Sequence, residues 1–400
     1  MNRPSRARRL RIGIGVLSTI IVGALAASYQ ACTLYSSSLL APLDSGQGGS
    51  GASSGCDRAV PPARPAVSDE GGSDIGPVIA AFETIDIGLG GTTADGGPTP
   101  LPPFGYDLDG VCTCPGLPSC QQASKTAPES CDDDAGRDHA AITLFRYLGA
   151  AASTGTSQID QGLMAGQYGI LLVIKNYNGL QNDSRVTVDF FVSNGLNRDP
   201  DGGVPTPQFD GNDQWTIDPG SGTLSQPVFS DDSAYVSNGT VVANMSQPIP
   251  IAFGDRSFLG GATMILSSAV IVGSLQLVPV GGDAGSTTLG FSLQQGTIAG
   301  RWGTGDLLST LATIPSMGGG FLCGADSVPY QLIKATVCGS ADISKNPLND
   351  NGTPLAQCDA VSVGLQFTAA PAQLGNVLAV PAAPAGCQVD GKPFTDTCQQ

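Results

Sequence analysis

The chain has 400 residues but a single histidine, His139, and only two tryptophans. One histidine cannot supply the Cys–His sets that hold zinc in knuckles and ribbons. Cys112-Thr113-Cys114 has one intervening residue where those sites use two to four, so it reads as disulfide framework. A Ser-His-Asp triad would have to use His139, and no Gly-x-Ser-x-Gly occurs. Walker and dinucleotide-binding glycine motifs are missing as well. Charged residues make up only 13%, with 18 Lys and Arg against 34 Asp and Glu. An acidic surface of that kind repels phosphate backbones, which excludes nucleic acid as a partner. It also disfavours adsorption to anionic headgroups, but it suits divalent cations.

Cysteine, glycine and proline are plentiful: 11, 55 and 29 residues. The first cysteine, Cys32, follows a basic segment (Arg3, Arg6, Arg8, Arg9, Arg11) and the apolar stretch Ile12 to Ala27. A basic region, an apolar region and small residues before a cut are the marks of an export signal. We read residues 1–31 as a signal peptide and Cys32 as the lipidated first residue of the mature chain. Ten cysteines then remain, and an even number permits five disulfides. These would use Cys56, Cys112, Cys114, Cys120, Cys131, Cys323, Cys338, Cys358, Cys387 and Cys398. Two other readings stay open: a cut after Ala26, which leaves one unpaired thiol, and an uncleaved N-terminal anchor. All five leader arginines leave with the signal, so the mature chain keeps 13 of the 18 basic residues against 34 acidic ones.

Residues 32–77 form a Ser/Gly/Pro-rich tether, and residues 78–400 form a β domain with Cys-rich segments at 112–131 and 323–398. The first strand is Val78 to Leu89, with Phe82 buried. Ile170 to Tyr177 is an apolar run. Val186, Val188, Phe190 and Val192 alternate with polar residues, the period of a half-buried strand. Asn238-Gly239 between two apolar triplets predicts a hairpin, because a type I′ turn needs positive φ at both central positions. Ala262 to Leu266 and Val270 to Val280 are expected as two strands turning near Ser267-Ser268. Val361, Val363, Leu365 and Phe367 alternate again. Helices are few: one capped by Asp138 and carrying Ala141, Leu144 and Phe145, one capped by Asp306, and one opened by Ser327 and Pro329. The fold class is therefore mainly β, an antiparallel sandwich or jelly roll with a few short helices. Disulfides are expected to tie its ends rather than cross its centre, and sequence proximity pairs Cys387 with Cys398.

Two acidic runs stand out: Asp107-Leu108-Asp109-Gly110 and Cys131 to Asp138. Carboxylates followed by glycine suit Ca²⁺, which takes six to eight oxygens and needs a sharp turn. The candidate ligands are Asp107, Asp109, Asp132, Asp134 and Asp138, drawn together if a disulfide joins early and late members of the first cysteine cluster. Asx-turns and helix caps use the same residues. In Phe209 to Trp215, an aromatic beside Asp210, Asn212 and Asp213 is a candidate sugar-binding loop around Trp215; the alternative is a loop tryptophan tucked on the sandwich edge. Trp302 is expected to be packed at a strand end.

Tyr106 to Cys114, Cys131 to Ala140, Phe209 to Trp215 and Cys358 to Thr368 are similar to blocks shared by uncharacterised secreted lipoproteins of myxobacteria. That resemblance covers most of the chain after Cys56. It implies an exported envelope location and a common architecture, with no assigned activity. The expected function is a non-catalytic surface binding module of the bacterial cell envelope, held to the membrane by its N-terminal lipid, with extracellular glycan as the sharpest ligand class and an envelope protein as another partner. The alternatives are a purely structural envelope protein and a carboxylate-dependent hydrolase such as a glycosidase.

Overall fold

The structure, a computed structural model, describes residues 57–89, 104–114, 117–122, 131–152, 156–198, 201–203, 205–252, 263–281, 289–313, 328–379 and 386–398. The leader, Cys32, Cys56, Cys323 and Ser327 lie outside the described residues. Fifteen strands follow in order: β1 Val78–Asp86, β2 Gly169–Lys175, β3 Asp183–Ser193, β4 Gln214–Ile217, β5 Gly222–Thr223, β6 Gln226–Pro227, β7 Phe229–Ser237, β8 Thr240–Asn244, β9 Ile249–Ala252, β10 Thr263–Pro279, β11 Leu289–Gly303, β12 Ala360–Pro371, β13 Gln373–Val377, β14 Gln388–Val389 and β15 Lys392–Pro393. The helices are α1 Ala141–Ala152, α2 Thr156–Met164, α3 Thr304–Leu311 and α4 Val328–Gly339.

The mainly antiparallel β class read from the sequence is the class observed. Nine strands run in one ladder, in the order β11-β12-β1-β2-β3-β7-β8-β10-β9. β10 also pairs with β11, which closes eight of the nine strands into one circuit and leaves β9 as an edge strand against the start of β10. Alternate residues of the ladder's strands feed a single apolar cluster that includes Phe82, Leu172, Val188, Phe190, Ile271, Ile298 and Leu365. Fully burying each such side chain contributes about 1.5–3 kcal/mol.

The strand patterns show why the chain folds this way. In β2, Ile170, Leu172 and Ile174 enter the main cluster, while Leu171 and Val173 enter a second one with Trp215 and Ile217. Both faces of β2 are covered, so its run is apolar throughout rather than alternating. In β3, Val186, Val188 and Phe190 alternate as expected. Asn238 and Gly239 have φ of 50° and 74° and join β7 to β8 where Ser237 faces Thr240. The two strands expected around Ser267-Ser268 are one. β10 runs through, with a bulge between Ser267 and Val270 and Ser268 at φ 48°. The extra residue is absorbed as a kink in an unbroken ladder.

Both acidic helix caps differ from expectation. The Asp138 carboxylate accepts from the Leu108 N–H at 2.6 Å instead of capping α1. The Ala140 N–H, just ahead of α1, donates to Ser362 Oγ at 2.8 Å. Asp306 lies inside the first turn of α3, where it pairs with Lys345 at 2.6 Å.

Residues 57–77 are irregular, yet they are bonded along the domain. The Arg64 guanidinium lies 4.7 Å from the Tyr235 ring centre and donates to Ser184 O. Tyr235 donates to Pro62 O, and the Asp69 N–H donates to Asn182 O.

Three disulfides join described residues: Cys114–Cys131, Cys120–Cys358 and Cys338–Cys398. Cys112 and Cys387 are also disulfide-bonded. Proximity in sequence misassigned Cys398. The C-terminal segment folds back on α4, where Asp396 accepts from Tyr330 Oη and Lys334 Nζ, and this sets Cys398 beside Cys338. Cys120–Cys358 spans 238 residues and joins the two cysteine clusters to each other.

Candidate functional site

The two acidic runs meet. Asp107, Asp109 and Asp138 each present a carboxylate oxygen, and these oxygens all lie within 4.8 Å of one another. The three residues are only 8%, 7% and 1% exposed. Local backbone geometry explains the convergence. Gly110, at φ 87°, turns the chain sharply so that its N–H donates to Asp107 Oδ1 and the Val111 N–H donates to Asp109 Oδ1. The Asp138 N–H donates to Tyr106 O, while Asp138 Oδ2 accepts from the Leu108 N–H. The Cys114–Cys131 disulfide closes the loop between the runs.

Of the five candidate ligands, three are brought together. Asp132 sits beside them, with Oδ2 accepting from the Thr113 N–H at 2.6 Å. Asp134 is exposed, and only its carbonyl is used, by Arg137. Burial raises the pKa of Asp138 to about 10, reinforced by the charges of Asp109, Asp342 and Asp132. Burial also raises Asp132 to about 6 and Asp342 to about 7, although the Ser362 hydroxyl and N–H hydrogen-bond the Asp342 carboxylate and oppose the rise there. Burial raises Asp109 too. Close carboxylates in a poorly solvated site cannot all keep their charge without a counter-charge.

Several residues around this cage carry no local signal in the sequence. Arg58 Nε donates to Asp107 Oδ2. Arg301 is 1% exposed; it pairs with Asp350 at 2.6 Å and donates to Leu108 O and Ser344 O. Asn351 donates to Asp109 O at 2.8 Å. Ser119 is fully buried with its hydroxyl against the Asp109 carboxylate. Arg58, Arg301 and Asn351 come from distant parts of the chain, so only the fold could reveal them.

Of the two readings of the 209–215 loop, the packed tryptophan is the one observed. Trp215 is fully buried and packs over Gly169, so its face is closed to a ligand. Asp210 and Asp213 serve the loop itself, accepting from the N–H groups of Asn212, Gln208 and Phe209. Beside them lies a groove of about 590 Å³ whose lining includes Asn197, Arg198, Asn212, Asp213, Gln214 and Asn376. Its wall is the parallel pairing of β13 with β4. A second groove, of about 420 Å³, is apolar and includes Ile75, Leu277, Leu289 and Phe291. Neither groove is lined by the cage carboxylates.

His139 is buried, and its Nδ1 accepts from the Gly364 N–H at 2.9 Å. The ring proton therefore lies on Nε2, and burial lowers its pKa to about 4. With its basic nitrogen occupied by the backbone, the imidazole is held as a core group. Trp302 is packed near the C-terminal end of β11, between Leu266 and Val361 in the ladder. Among the described residues, no helix is long and apolar enough to cross a membrane. Three disulfides fit an oxidising extracellular or envelope location. No protein-family model, curated protein or solved structure matches the chain.

Proposed function

We propose that this is an exported envelope lipoprotein, anchored through Cys32, whose β domain is a non-catalytic module that binds extracellular glycan in the groove beside β4 and β13. The observation that carries the reading is the groove's lining. The amides of Asn197, Asn212, Gln214 and Asn376 gather there with the Arg198 guanidinium. Amides both donate and accept, which matches the hydroxyls of a sugar, and a shallow polar groove suits a ligand held by hydrogen bonds. With Trp215 enclosed, stacking on that ring plays no part. The resemblance to secreted lipoproteins and the disulfides support the location.

A glycan array probed with the oxidised full chain tests this. One class of glycan should bind, and Arg198→Ala with Asn376→Ala, both exposed positions, should abolish binding without lowering the unfolding midpoint. A blank array, or binding indifferent to both substitutions, would point to the purely structural envelope protein instead. Mass spectrometry of the mature N-terminus tests the anchor. A chain starting at Ala27 with an unmodified Cys32 would overturn it.

A further inference from the structure

We infer that Asp107, Asp109 and Asp138 hold a divalent cation, Ca²⁺, buried between the turn at 106–111 and the acidic run at 131–138. The inference is independent of the glycan reading, since cage and groove share no lining residue.

Four observations carry it. First, the carboxylate oxygens lie mutually within 4.8 Å, the span of ligands around one ion. Second, each carboxylate is steered by a backbone N–H at one oxygen: Gly110 on Asp107, Val111 on Asp109 and Leu108 on Asp138. The backbone thus fixes the carboxylates in a cluster they would not adopt from mutual repulsion. Third, Asp138 Oδ1 is buried and receives no hydrogen bond, in a residue 1% exposed. A buried carboxylate oxygen without a donor is costly unless a cation faces it. Fourth, Ser119 Oγ is fully buried beside the Asp109 carboxylate. A hydroxyl oxygen is a further neutral ligand of the kind Ca²⁺ uses.

Two side-chain cations lie nearby, and one of them meets a cage carboxylate. Arg58 binds Asp107 from the half-exposed side. Arg301 is committed to Asp350 and to two carbonyls. The donor set is all oxygen, which favours a hard cation over zinc or copper. An irregular cage of carboxylates with one hydroxyl beside them suits Ca²⁺ better than the strict octahedron of Mg²⁺.

The test uses the full chain with its disulfides intact, stripped with a chelator and returned to metal-free buffer. Calorimetric titration with CaCl₂ should show one site per chain, and the thermal midpoint should climb with Ca²⁺ concentration above the Kd. Mg²⁺ should compete weakly. Asp138→Asn should remove both the binding heat and the Ca²⁺-dependent rise. Asp134→Asn, in the same run but exposed, should keep both. Should Asp138→Asn fail to fold, the wild-type chain still decides: Tb³⁺ emission sensitised through nearby Tyr106 should saturate and be displaced by Ca²⁺. No binding heat and an unchanged midpoint at millimolar Ca²⁺, or Tb³⁺ emission that Ca²⁺ does not displace, would overturn the inference. So would an Asp134→Asn chain that loses Ca²⁺ as completely as Asp138→Asn.

Discussion

Arg301 and Asp350 form an ion pair of 2.6 Å with side chains only 1% and 4% exposed. The same guanidinium donates to Leu108 O and Ser344 O, so one side chain of β11 ties the acidic turn and the 344–350 loop to the large sheet. Breaking a buried pair by removing one partner typically costs about 3–5 kcal/mol, because the other charge is left unpaired. Arg301→Met should therefore destabilise by about that amount in guanidinium melts without reductant. Adding Asp350→Leu should recover part of the loss. Equal stability of the single and double variants would show that the pair is not the source.

Cys120–Cys358 closes a long loop between the acidic-turn region and the start of β12. The pairing of Gln121 with Gln357 continues it on the backbone. Cys120→Ser with Cys358→Ser should lose roughly 2–5 kcal/mol, as expected from releasing a large loop in the unfolded chain. Chemical denaturation against the wild type, both oxidised, measures it. A loss below measurement error would argue that the packing of 117–122 on 356–358 suffices alone.

Asp396 gives a pH prediction. Burial alone would raise its pKa, but hydrogen bonds from Lys334, Tyr330 and the Thr397 N–H outweigh that and hold it below the ordinary 3.8. The unfolded chain is then the first to take up this proton as pH falls. The stabilisation is complete above the ordinary value and is lost as pH falls through the folded one. The gap in thermal midpoint between wild type and Asp396→Asn should therefore be constant from neutral pH to mild acid and close below 3.8. A gap that persists undiminished in strong acid would refute the assignment.

Gly169 opens β2 under the Trp215 ring, and an added Cβ would lie 2.8 Å from the ring carbon Cζ3. The ring is fully buried and cannot swing away. Gly169→Ala should cost about 1–3 kcal/mol, the usual range for overpacking. Tryptophan emission should shift if the ring moves. An unchanged melt would mean that the second cluster is looser than its burial implies.

The strands were legible where one chain segment carries the whole signal. The alternation of β3 and β12 and the Asn238-Gly239 turn needed no knowledge of neighbours. Ser267-Ser268 misled because a bulge and a turn call for the same small polar residues, and only the partner strand distinguishes them. Asp138 misled as a cap because the Leu108 N–H, thirty residues away, competes for its carboxylate. Trp215 stayed open between a sugar platform and a packed loop residue because its sequence neighbours are polar, and only the fold shows that the chain turns inward there to cover β2. The cage was half legible. Asp107, Asp109 and Asp138 lie in conspicuous runs, but Arg58, Arg301 and Asn351 reach it only through tertiary pairing.

The closed ladder also bears on how copies of the chain meet. β10 is a long, largely uncharged strand of high β propensity, the kind of segment that recruits further strands when its edge is open. Here β11 covers one side along most of its length, and β9 and β8 cover the other at Thr263–Leu266 and Val270–Ser274, so most of its backbone groups are already taken. Molecules crowded on a surface would then find few unfilled hydrogen bonds along it. The circuit that encloses the core thereby protects against runaway self-assembly, a hazard that open sheets must manage with charges and prolines at their rims.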